Sequence, residues 1–185
     1  MIADVLRDAE GRMEKAIEAL RRDLATIRTG RASPSLVDRV SVDYYGTPTP
    51  INQMAGISVP EARLLVIQPW DRGTIPAIEK AIQKSELGLN PNNDGQVIRI
   101  AIPALTEERR RQLVKGVHQH VEDGKVALRN IRRDAIGSIR ELTGERMISE
   151  DDERRGTSQI EELTRKFVDE IDRIGKTKEH EVMEV

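Results

Sequence analysis

The chain has 185 residues, a formal net charge of −2, no cysteine, and 2% aromatic against 34% charged residues. That length supports one large or two small domains without a structural metal or disulfide, and the missing cysteines exclude zinc–thiolate sites and thiol nucleophiles. No apolar run approaches the roughly 20 residues of a membrane span, and "MIADVLRDAEGRMEK" mixes both charge signs, unlike a targeting peptide, so the expectation is a cytoplasmic protein with no membrane contact.

Residues 2 to 28 carry Ile2, Val5, Leu6, Ala9, Met13, Ala16, Ile17, Leu20, Leu24 and Ile27 in steps of three and four, which predicts a helix with one apolar stripe. Thr29-Gly30 and Pro34 should stop it. Residues 31 to 104 read differently. "RVSVDYYG" alternates Val40, Val42 and Tyr44, "ARLLVIQ" and "QVIRIAIP" are short β-branched runs, and proline and glycine punctuate the whole. "TIPAIEKAIQKSELG" predicts a helix begun near Thr74-Pro76 and stopped at Gly88. This is a compact domain of its own.

A second long helix should start at Thr106, an N-cap with Glu107 and Glu108 in the first turn, and run to Thr143-Gly144. Its stripe is Leu113, Val117, Val121, Gly124, Leu128, Ile131, Ala135, Ile139 and Leu142. Ser149 and Asp152 predict a capping box for a third helix carrying Ile160, Leu163, Phe167, Ile171, Ile174 and Val182. Three stripes that must bury one another predict a three-helix bundle from residues 1–30 and 105–185, with an α+β domain at 31–104 inserted into it. The insert's two linkers should run side by side as a two-stranded hinge near 30–34 and 103–106, comprising Gly30, Arg31, Ala32, Ser33, Pro34 on one side and Pro103, Ala104, Leu105, Thr106 on the other.

The small total charge hides a polarity. Residues 1–104 are neutral overall, 105–142 carry +3 and 149–185 carry −5. On a helical wheel with Leu128 at zero, Lys125, Arg129, Arg132, Arg133 and Arg140, with Arg111 and Lys115, fall between about 40° and 140°. Asp123, Asp134 and Glu141 fall near about 220° to 240°. Two readings stay open: a solvated face paired with acids of the third helix, or a surface for an anionic partner. Arg129 and Arg133 repel each other at i, i+4, and arginine suits phosphate, which favours the second reading. Without interleaved aromatics the stripe fits folded RNA better than stacked single strands, although an acidic protein surface would satisfy it too, making the chain a helical adaptor.

His118 and His120 point about 200° apart on a helix and cannot share a metal. Tyr44-Tyr45 are expected chiefly in the insert's core, with stacking on a base as the alternative, and Trp70 as a partly buried anchor, an exposed Trp suiting a protein contact instead. Gly124 lies on the apolar stripe, where it would admit a close helix, whereas Gly116 and Gly137 have no evident role. No P-loop, G-x-S-x-G or H-E-x-x-H occurs, so no enzyme, cofactor or metal is expected.

Through "IRTGRASP" (27–34), "YYGTPTP" (44–50), "LGLNP" (87–91), "LTEERR" (105–110), "RNIRRDA" (129–135) and "ISEDDERR" (148–155), the chain resembles the ribosome recycling factor family. The resemblance implies an elongated three-helix bundle joined to a small β/α/β domain, L-shaped overall and tRNA-like in outline. It implies a monomer that, with elongation factor G and GTP, splits the post-termination ribosome and frees mRNA and tRNA. The bundle would lie on large-subunit rRNA across the A and P sites while the small domain swings on the hinge and meets elongation factor G. By position, Arg129, Arg132 and Arg133 would face RNA, with Arg28 and Arg31 as further candidates.

Overall fold

The computed structural model describes residues 1–184. The chain forms two compact units, one from residues 1–28 with the segment from Thr106 onward, the other from Thr29–Leu105.

The first unit is a bundle of α1 (Ile2–Ala25), α3 (Glu107–Gly144) and α4 (Glu150–Met183). Its core is aliphatic but for Phe167, drawn from Ala9, Met13, Ile17, Leu20 and Leu24 of α1, Val117, Leu128, Ile131, Ala135, Ile136 and Ile139 of α3, and Ile160, Phe167 and Ile171 of α4. At 38 residues α3 spans about 57 Å. Both long helices begin at caps: the Thr106 hydroxyl accepts from Arg109 N–H at 3.1 Å, and Ser149 and Asp152 form a reciprocal capping box. The α3 terminus closes with Met147 N–H on the Leu142 carbonyl and Arg146 N–H on that of Thr143. Arg146 takes the left-handed conformation there, at φ 59°, where glycine is usual.

Helix α1 ends at Ala25, three residues earlier than its apolar period suggests. The Thr26 hydroxyl and N–H both bond the Asp23 carbonyl, at 2.6 and 3.3 Å, tightening the last turn before Gly30 turns the chain at φ 77°.

The insert runs β/α/β in chain order, with four strands before its helix and two after it. β1 (Ser41–Tyr44) and β2 (Thr47–Pro50) form a hairpin, and β3 (Ala55–Glu61), β4 (Leu64–Pro69), β5 (Pro91–Asn93) and β6 (Ile98–Ala101) form an antiparallel sheet ordered β3-β4-β6-β5. Helix α2 (Ile75–Lys84) buries Ile75, Ile78 and Ile82 against Val42, Leu65, Ile67, Ile98 and Ile100 in a second core. The β1–β2 turn is Tyr45-Gly46, both at positive φ (50° and 85°), as a two-residue primed turn requires.

Both linkers are tied to one turn of the insert. Ala32 N–H donates to the Ala62 carbonyl at 2.7 Å and Ile102 N–H to that of Arg63 at 2.8 Å. Gly30 and Leu105 also touch, since a Cβ on Gly30 would lie 3.1 Å from Leu105 Cγ. Ser33 caps a 3-10 turn at Pro34–Val37. Ala32, Ser33 and Pro34 are therefore held in the insert's own structure.

Candidate nucleic-acid interface

Helix α3 meets α1 along one flank and α4 along the other, and its ion pairs mark which is which. Asp134 accepts from Arg12 of α1 at 3.0 Å, and His120 Nδ1 lies 3.8 Å from Asp23 of α1. Toward α4, His118 Nε2 lies 3.1 Å from Glu179, Lys125 Nζ 2.7 Å from Asp172, and Arg132 Nη1 3.7 Å from Glu161. The two histidines thus serve opposite flanks, each with its own carboxylate.

The basic sector consequently divides in two. Lys125 and Arg132, nearest the apolar stripe, lean over the α3–α4 seam, and Lys125 is only 27% exposed under its ion pair. Ile136 falls at about 80° on the wheel, within the basic sector, and is buried because α4 covers that side. Farther round, Arg129, Arg133 and Arg140 are exposed in one row. Arg129 reaches back to Glu122 at 2.8 Å and Arg133 donates to Asn130 Oδ1 at 3.0 Å, while Arg140 and Lys115 make no ion pair among the described residues. Pairing with third-helix acids and an outward cationic row coexist on this helix, each on its own strip.

The α3–α4 register explains the quality of the seam pairs. Seven residues along α3 and seven back along α4 lead from His118–Glu179 to Lys125–Asp172, and the next step sets Arg132 opposite Arg165. These are like charges. Arg132 therefore reaches about a turn further, to Glu161, and its Nε stays buried without a hydrogen-bond partner.

Arg28 lies beyond the end of α1, exposed, and Arg31 is exposed in the linker. Of the glycines in α3, Gly124 fits the close-approach reading: a Cβ there would stand 3.2 Å from Ile171 Cδ1. Gly116 and Gly137 face open space.

Of the three aromatic side chains expected to be at least partly buried, one is. Tyr44 packs on the insert core, but Tyr45 is 80% and Trp70 71% exposed. Tyr44 continues the inward alternation of Val42, whereas Tyr45 falls in the turn and Trp70 follows the last residue of β4. The Tyr45 hydroxyl donates to Asp71 Oδ2 at 3.1 Å, and that hydrogen bond, with the carboxylate's charge, raises the phenol's pKa. Among the described residues, no three His, Asp or Glu side chains converge to hold a metal, and no helix is long and apolar enough to cross a membrane.

The chain is a helical bundle with one outward cationic row on α3 and an inserted small domain with a separate core. The family model of ribosome recycling factor matches residues 20–183. The ribosome-recycling factor of Thermomicrobium roseum is 60% identical over 185 residues, covering all of both chains. A solution structure of a ribosome recycling factor matches at TM-score 0.75 and 47% identity over 100% of this chain and 98% of that one. A second structure matches at TM-score 0.63 and 43% identity over 99% of each chain; it shows T. thermophilus ribosome recycling factor and E. coli elongation factor G on the E. coli post-termination complex. The chain belongs to the ribosome recycling factor family.

Proposed function

We propose that the protein is a cytoplasmic, monomeric translation factor which, with elongation factor G and GTP hydrolysed by that partner, splits the post-termination ribosome and releases mRNA and tRNA. It makes and breaks no covalent bond. The bundle binds large-subunit rRNA at the A and P sites through the outward row of α3, and the insert turns on the paired linkers to pass displacement from elongation factor G to the bridges between subunits. The observation that carries this reading is the row itself. Arg129, Arg133 and Arg140 are exposed together on the face of α3 that neither α1 nor α4 covers, a spacing suited to successive phosphates.

Arg132 and Lys125 border that row, with Arg28 and Arg31 near the linkers. The hydrogen bonds of Ala32 and Ile102 into the insert support a pivot at Gly30 and Arg31 on one side and Pro103 to Thr106 on the other. The reading also draws on family membership and on the relative bound with elongation factor G to a post-termination complex.

Light scattering of post-termination ribosomes, with and without elongation factor G and GTP, tests the proposal. Subunit splitting that requires this protein and both additions is the expected result. Splitting that proceeds equally without the protein, or binding to ribosomes that survives RNase digestion, would overturn it and favour an adaptor for an acidic protein surface.

A further inference from the structure

Within the basic sector, Arg132 is held but not satisfied. Its Nη1 stands 3.7 Å from Glu161 Oε2, well beyond the roughly 2.7–2.9 Å of a charge-assisted hydrogen bond. Its Nε–H is buried without an acceptor. Arg165, opposite it in the helix register, is a second cation with no ion pair among the described residues. Lys125 one heptad away shows the contrast, seated on Asp172 at 2.7 Å. Glu161 thus supplies charge to Arg132 without filling its hydrogen-bonding fork. Both side chains stay in contact with water, at 43% and 38% exposure, so the pair can open at small cost.

We propose that Glu161 is an intramolecular competitor for RNA phosphate at Arg132. Resting on the RNA reading of the basic row, the exchange is one ion pair for another: a phosphate takes the guanidinium through its solvent-facing Nη nitrogens, at hydrogen-bond distance where Glu161 stands off at 3.7 Å, and the carboxylate returns to solvent. The carboxylate keeps Arg132 directed along the seam while the protein is free. It also lowers affinity for the RNA, which hastens departure of a factor that must leave after each round.

The test compares full-length wild type, E161Q, E162Q, R132A and R132A/E161Q for equilibrium binding and dissociation on isolated large ribosomal subunits. Glu162 is the control, since it is exposed on α4 next to Glu161 and makes no ion pair among the described residues. E161Q should bind about threefold tighter at low salt, matching the worth of an exposed ion pair, and should dissociate correspondingly more slowly. The gain should shrink as salt rises and vanish in the R132A background, while E162Q stays close to wild type. If R132A weakens binding but E161Q is no tighter than E162Q, the competitor is refuted and the RNA reading stands. Weaker binding by E161Q, or a gain that persists without Arg132, refutes it too. If R132A binds as wild type with the same salt slope, the assignment of Arg132 to RNA falls and the competitor with it.

Discussion

Gly175 of α4 and Val121 of α3 approach so closely that a Cβ on the glycine would lie 2.6 Å from Val121 Cγ2. Valine on a helix has essentially one χ1 well, so it cannot swing aside cheaply. Gly175→Ala should therefore cost about 1–2 kcal/mol of stability, overpacking outweighing the gain in helix propensity. Gly137→Ala, which meets nothing within 4 Å, should instead stabilise by about 1 kcal/mol. Urea unfolding of the two variants checks the opposite signs, and Val121→Ala should relieve the strained one.

Removing cations from the outward row should weaken RNA binding with a salt signature. Arg133→Ala and Arg140→Ala should each flatten the slope of log K against log salt by roughly 0.7 to 0.9, the increment expected per phosphate contact. Lys125→Ala should change it least, because its ammonium is committed to Asp172 at 2.7 Å. Titrating large subunits across a salt series measures all three.

The start of α4 should impose an acid limit on the bundle. Hydrogen bonds from Ser149, chiefly its side chain and then its backbone, lower the Asp152 pKa, with Arg155 adding to the effect. A depressed carboxyl contributes stability fully above its unfolded pKa, about 4, and loses it as pH falls through the folded value. Ser149→Ala should cost about 1 kcal/mol at neutral pH. Its deficit relative to wild type should narrow on acidification, which thermal melts between pH 7 and 3 would record.

The insert should fold without the bundle. Its core is its own, and Gly30 and Leu105 at its two ends are already in contact. A fragment of residues 29–105 should melt cooperatively by circular dichroism. Its β5–β6 turn depends on Asp94, which accepts from the N–H groups of Gln96 and Val97 and pairs with Arg99 at 2.8 Å. Those contacts, the Val97 N–H foremost, hold the carboxyl well below the usual carboxylate range. Asp94→Asn should weaken the fragment at neutral pH, and the gap should close only in strong acid.

What could be read from sequence was local. Thr106 and the Ser149–Asp152 box begin their helices where capping chemistry places them, because a cap acts over three residues. The cationic sector of α3 was legible by angle alone. The partners of Lys125 and Arg132 were not, since choosing Asp172 and Glu161 requires the antiparallel register of two helices, which no single-helix wheel contains. Strand β2, "TPTP", carries two prolines that argue against a strand, yet it is tolerated as one side of a two-stranded hairpin. Tyr45 was misplaced because strand alternation stops at a turn whose left-handed backbone usually calls for glycine or asparagine.

The insert's tied ends also bear on how the bundle assembles. Helices α3 and α4 are joined by a short connection and can pair early, but α1 must return across the whole insert to complete their core. Closing a flexible loop of that length costs about 4 kcal/mol of chain entropy. Once the insert has folded, Ala32 and Ile102 are fastened to Ala62 and Arg63 of one turn, and the effective loop shrinks to a few residues on either side. The small domain thereby serves as a folding clasp for the rod, so a lesion in its sheet should slow the docking of α1 without touching a single residue of the bundle.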